Sequence, residues 1–194
     1  LGGAQGRSIA APASARIVTG TEQYTMDFSP GEKPVDLLHV AVLGSPHAHA
    51  HITRIDTAAA EAAPGVAAVL TFHDSPDVLF STARHEDRND DPDDTRVFDS
   101  TLRFRGQRVA AVIAESPTQA ERALSLIEVD YEILTPILSI EAAIRAKSFI
   151  GSKRHITRGE VDVALRDAPR KLEGEITIRG QDHFYLESQA SIVY

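Results

Sequence analysis

Three histidines at alternating positions, His47, His49 and His51, are the first residues in the sequence that could do chemistry together. On an extended strand alternate side chains share a face, which is how imidazoles two apart can converge on one metal ion. The spacing opposes it. Residues two apart on a strand are separated by about 6.6 Å, whereas zinc–nitrogen bonds are about 2 Å. No carboxylate is placed to complete a tetrahedral set. The run therefore reads as partly exposed histidines at the start of a strand, and no metal ligand is assigned to the chain.

A second candidate is the acidic stretch Glu86–Asp94. Asp87, Asn89 and Asp91 fit the first three ligand positions of a calcium loop. Its sixth position needs glycine and holds Pro92, and its twelfth needs a bidentate glutamate and holds Phe98. A solvated surface loop is the better reading. No nucleophile elbow, phosphate-binding loop or dinucleotide fingerprint is present, and no spacing ties serine to histidine in a triad. No catalytic residue is assigned.

Composition narrows the classes further. The 194 residues carry 28 acidic and 20 basic side chains, a net charge of −8, which repels phosphate backbones and argues against nucleic-acid binding. The absence of cysteine excludes disulfides, thiolate zinc sites and cysteine-ligated iron–sulfur clusters within these residues. No apolar run approaches the roughly 18 residues that suggest a membrane span. The sequence lacks a starting methionine and stops inside a strand-like run, so both ends are expected to be cut from a longer protein.

The elements that must position these residues are short. Strands are expected at Glu22–Phe28, Asp36–Leu43, His51–Asp56, Val66–Thr71, Gln107–Ala114, Glu128–Ile133, Arg170–Ile178 and Ala190–Tyr194. A helix capped by Asp56 covers Thr57–Ala63 and stops at Pro64-Gly65; a long loop follows from His73 to Asp94. The best-marked helix starts at the Ser116 cap, with Pro117 at its first position and Gln119 completing a capping box. Ala120, Ala123, Leu124 and Ile127 then share its apolar face. Helices at Ile140–Ala146, behind the Ser139 cap, and at Glu160–Ala168 complete an α+β fold.

Several stretches resemble the molybdenum hydroxylases, the family of xanthine dehydrogenase and aldehyde oxidase. They are Ala15-Arg16-Ile17-Val18-Thr19-Gly20 with Tyr24 and Asp27, then Leu38 through Gly44-Ser45-Pro46-His47 to Ala50, and Asp56 through Pro64-Gly65-Val66 to Thr71. Arg103-Phe104-Arg105-Gly106-Gln107-Arg108-Val109-Ala110 and Val129-Asp130-Tyr131-Glu132 continue the pattern. Gly44 departs from it, standing where the family usually has a larger or basic residue. Gly180-Gln181-Asp182-His183-Phe184-Tyr185-Leu186-Glu187 resembles the octapeptide that opens the molybdopterin-binding region of xanthine dehydrogenases, which favours the purine and aldehyde branch.

The resemblance implies an α/β-hammerhead-like domain over 16–150, preceded by a lead-in at 1–15. Residues 151–194 would form a linker and the start of a truncated molybdopterin-binding domain. It implies a cytoplasmic enzyme that hydroxylates purines or aldehydes with water-derived oxygen. Molybdenum–molybdopterin would be its cofactor, with iron–sulfur clusters and FAD on other domains or subunits. The implied partners are the remainder of the subunit, the iron–sulfur and FAD modules, and a possible second copy. Gln181 would hydrogen-bond an oxygen ligand of the molybdenum; Glu187 lies in a different motif from the catalytic base. The piece alone is expected to be inactive. The competing reading is a stand-alone structural or assembly module that docks to a partner subunit.

Overall fold

The structure is a computed structural model that describes all residues except 1–5, 7, 26, 28–36, 83–90, 152, 154, 182–188 and 194. Its contacts divide the chain into two units, 36–161 and a second made of 1–35 with 162–194.

The first unit is α+β, as its sequence patterns predict. One antiparallel sheet has the order β1-β5-β3, from β1 (His39–Gly44), β5 (Arg108–Ala114) and β3 (Val66–Leu70). The other has the order β4-β2-β6, from β4 (Thr101–Leu102), β2 (Ala50–Asp56) and β6 (Glu128–Ile133). The central β5 is buried along nearly its whole length, which is why Val109-Ala110-Ala111-Val112-Ile113-Ala114 is a continuous apolar run and not an alternating one. The edge strand β1 alternates.

Two helices close the first sheet. The four-residue α2 (Ala58–Glu61) begins with the Ala58 N–H donating to Asp56 Oδ1 at 3.1 Å, so Asp56 does bond the helix start. In α3 (Pro117–Leu124) Ser116 Oγ accepts from the Gln119 N–H at 3.3 Å and donates to Gln119 Oε1 at 2.6 Å. The Gln119 side chain thus bonds the cap hydroxyl and not the cap backbone. Ala120 and Ala123 are fully buried with Ala60, Val112 and Ala114, and the small side chains let α3 lie close on the sheet. A second cluster joins Ala50, Ile52, Leu102 and Val109, flanked by Leu43, Phe72, Val129 and Tyr131. Fully burying a valine such as Val109 or Val112 contributes about 1.5–3 kcal/mol. Beyond β6, α4 (Ile140–Ala146) starts where its cap predicts, with the Ala142 N–H on Ser139 Oγ at 3.1 Å.

The second unit holds α1 (Ser14–Thr19), and α5 (Val161–Asp167) lies at the boundary. Three sequence expectations fail here. The strand at Glu22–Phe28 does not form: Gly20, at φ 69°, reverses the chain, and the Thr21 and Glu22 N–H groups bond back to Arg16 O at 2.8 and 3.1 Å. Met26 and Phe28 lie outside the described residues. The segment Arg170–Ile178 is irregular and exposed despite its alternation, because no described strand pairs with it to receive its backbone groups. Residues 189–193 are likewise irregular, and Tyr194 lies outside the described residues.

Candidate functional site

The three histidines do not converge. Each has a separate partner: His47 packs edge-on to Tyr131 with ring centroids 4.9 Å apart, His49 Nδ1 meets Thr135 O at 3.3 Å, and His51 Nδ1 meets Thr101 Oγ1 at 3.2 Å. Only His51 lies on a strand, so the one-face geometry that alternation suggests does not arise. Burial raises the Tyr131 phenol above its ordinary value. Among the described residues no group of three or more His, Cys, Asp or Glu could hold a metal ion. Most of the acidic stretch Glu86–Asp94 lies outside the described residues.

A polar constellation that spacing alone did not reveal centres on one carboxylate. Asp99, almost fully buried, accepts from the Thr101 N–H at 2.9 Å through Oδ1 and from Arg103 Nη1 at 2.8 Å through Oδ2. Burial raises the Asp99 pKa, but the Thr101 N–H, the Arg103 hydrogen bond and charge, and the Arg96 charge outweigh it. The carboxyl is held below its ordinary value. Gln107 bridges the same turn, accepting from the Arg103 N–H at 2.7 Å and donating to Thr101 O at 3.0 Å. The signal that could have found this knot is Asp99-Ser100-Thr101, a side-chain-to-backbone turn two residues long.

This knot brings two of the sequence motifs together. The Gly106 N–H donates to Ser45 O and the Ser45 N–H donates to Gln107 O, both at 2.8 Å. A Cβ on Gly44 would stand 3.2 Å from Gly106 Cα, so the two turns touch backbone to backbone. Arg108 extends the knot, donating through Nε to Val97 O at 2.8 Å. The stretches 44–47 and 103–108 are thus two halves of one structural joint.

Beside the knot an open cleft of about 430 Å³ is lined by Phe72, Ser75, Asp77, Arg96, Phe98 and Arg103, among others. Its cations are paired: Arg96 Nη2 lies 2.6 Å from Asp77 Oδ1, and Arg103 Nη1 lies 2.8 Å from Asp99 Oδ2. The cleft holds no nucleophile with a base beside it. Gln181, in the second unit, is exposed in an irregular segment, and the seven residues after it lie outside the described ones. Its carboxamide carries an N–H that can donate to a cofactor oxygen. The described residues do not by themselves compose a site for molybdenum–pterin.

Residues 19–135 match the family model described as the a/b hammerhead domain of aldehyde oxidase and xanthine dehydrogenase, and the chain belongs to that family. Its two three-stranded sheets and short helices are this hammerhead fold.

Among particular relatives, aldehyde oxidase 1 of Rattus norvegicus is 37% identical over 190 residues, 97% of this chain and 13% of its own length. The "probable hypoxanthine oxidase XdhD" of Escherichia coli O157:H7 is 45% identical over 162 residues, 84% of this chain and 16% of its own. The crystal structure of quinoline 2-oxidoreductase from Pseudomonas putida 86 superposes with a TM-score of 0.60 at 33% identity, over 74% of this chain and 18% of that one. The chain thus spans less than a fifth of each. Among the described residues no helix is long and apolar enough to cross a membrane.

Proposed function

We propose that this chain is the hammerhead portion of the molybdopterin-binding subunit of a cytoplasmic hydroxylase. Its substrate would be an electron-poor C–H carbon of an aldehyde or a purine, with the added oxygen drawn from water. The observation that carries the reading is the family match over 19–135, inside relatives that are oxidases several times longer.

Within that enzyme the hammerhead is a scaffold. Its polar groups, led by Asp99, Arg103 and Gln107, are engaged with one another and with backbone. When bound, molybdenum–pterin would supply the redox chemistry. Gln181 would be one of the residues that hold it, its carboxamide N–H able to donate to an oxygen of the group. In this reading 16–150 is the hammerhead unit, 1–15 leads into it, and 151–194 links to the cofactor domain. Iron–sulfur and FAD modules would carry electrons away.

The test is to express the full-length gene product with its neighbouring redox subunits, then measure molybdenum content and oxidation of hypoxanthine and of aromatic and aliphatic aldehydes. Stoichiometric molybdenum with turnover of either class is the expected result. The 194-residue chain alone is expected to hold no molybdenum and to oxidise neither substrate. A gene product that binds no molybdenum and turns over none of these substrates overturns the reading in favour of a docking module.

A further inference from the structure

The segment 137–150 carries six large apolar side chains, Ile137, Leu138, Ile140, Ile144, Phe149 and Ile150, exposed from 46% at Ile137 to 98% at Ile150. It contains α4, none of whose residues is buried. Ile140 and Ile144 are four apart and share one face of that helix, and Glu141 and Arg145 follow them on another. A helix of seven residues is too short to persist in water by local propensity, since isolated helices below about 12–15 residues are marginal. In proteins such helices are held by packing of an apolar face. Among the described residues this one has the face without the packing.

Three observations bear on what would cover it. The hammerhead family match ends at residue 135, five residues before α4, and no residue of α4 is buried. The rat relative nevertheless matches 97% of this chain, leaving too few residues unmatched to omit the segment 137–150. The chain makes up only 13% of that relative, which supplies abundant polypeptide to pack against. A second copy is a poor occupant. Seven residues span about 10 Å, and a contact between two such helices falls short of the roughly 800 Å² per partner that specific interfaces bury.

The geometry points to 137–150 as a clasp: α4 seats its Ile140–Ile144 face in an apolar groove of the same subunit, formed by polypeptide outside residues 1–194. The inference rests on the reading of this chain as part of a longer hydroxylase subunit. The clasp would fix the hammerhead against the domain that it supports, with Ile150 and Phe149 closing the contact behind the helix.

Amide exchange on the full-length gene product and on the 194-residue chain tests it. Amides of 142–146 are expected to exchange at least about 100-fold more slowly in the full-length protein, while β5 amides are slow in both. In the full-length protein Ile144→Asp is expected to return 142–146 to within about 3-fold of the short chain's rates, with β5 still protected. The wild-type comparison stands alone if that variant fails to fold. Equal exchange of 142–146 in the two wild-type proteins overturns the clasp, as does a gene that stops after Tyr194. Protection that appears in the short chain as its concentration rises overturns it in favour of a second copy. Molybdenum content and substrate oxidation are measured separately, so a protected α4 in a protein without molybdenum would refute the hydroxylase reading and leave the clasp standing.

Discussion

Gly65→Ala perturbs the joint between the first sheet and α3 at a single atom. Ala63-Pro64-Gly65-Val66 forms a turn closed by the Val66 N–H on Ala63 O at 3.2 Å, with Pro64 second and Gly65, at φ 78°, third. A side chain in that left-handed conformation costs about 1–2 kcal/mol. The added Cβ would also overlap the Gln119 amide nitrogen and lie 2.5 Å from its Cδ. Gln119 is flexible and can swing away, at the loss of its bond with Ser116 Oγ, about 0.5–1.5 kcal/mol. Reduced freedom of the unfolded chain returns about 0.4–1 kcal/mol. The net loss is about 0.5–3 kcal/mol, read as a lower urea midpoint. In a Gln119→Ala background only the backbone cost remains, so the two substitutions should couple by about 0.5–1.5 kcal/mol. Equal losses in both backgrounds would refute the Gln119 contact, and a neutral Gly65→Ala would refute the turn argument altogether.

Asp99 predicts an acid-side effect. Its folded pKa lies below the unfolded value, so the stability it contributes is present above the unfolded pKa, near 3.9, and is lost as pH falls through the folded value. Urea midpoints followed from about pH 5 to pH 3 should therefore fall more steeply for the wild type than for Asp99→Asn; parallel curves would contradict the assignment. For the full-length enzyme, Gln181→Ala should lower kcat by about 10- to 150-fold with molybdenum content nearly unchanged, the equivalent of one hydrogen bond to a charged group. Gln181→Glu should be worse, because a carboxylate repels an oxygen that gains charge. Wild-type kcat in both, at full molybdenum occupancy, would remove Gln181 from the cofactor's surroundings.

The elements legible in the sequence are those whose signals are local. Ser116-Pro117 and Ser139 mark helix starts that the structure reproduces, and Glu128–Ile133 forms a strand with those bounds. Elements defined by a distant partner were not legible. β4 is two residues long and exists only because Thr101 and Leu102 reach His51 and Ala50. Arg170–Ile178 has a strand's alternation and lacks the neighbour that would make it one. The α1 helix escaped notice because its stretch has no side-chain cap, and its clearest mark is the Gly20 reversal at its end. Gln181 became a candidate through resemblance alone. The 44–47 and 103–108 motifs could be quoted as sequence, but that they are one joint follows from a contact across some sixty residues.

Among the described residues the second sheet ends at β6, and that edge bears on how copies of the domain would meet one another. β6 is an outer strand, and Glu128, Asp130 and Glu132 project from it at alternate positions, exposed, with Arg54 bridging Asp56 and Asp130. An edge strand is a template for pairing with another chain. Two such edges brought together would set carboxylate against carboxylate at cross-strand distances of about 5 Å. The acidic margin therefore sets a like-charge penalty against pairing with a second copy along this strand.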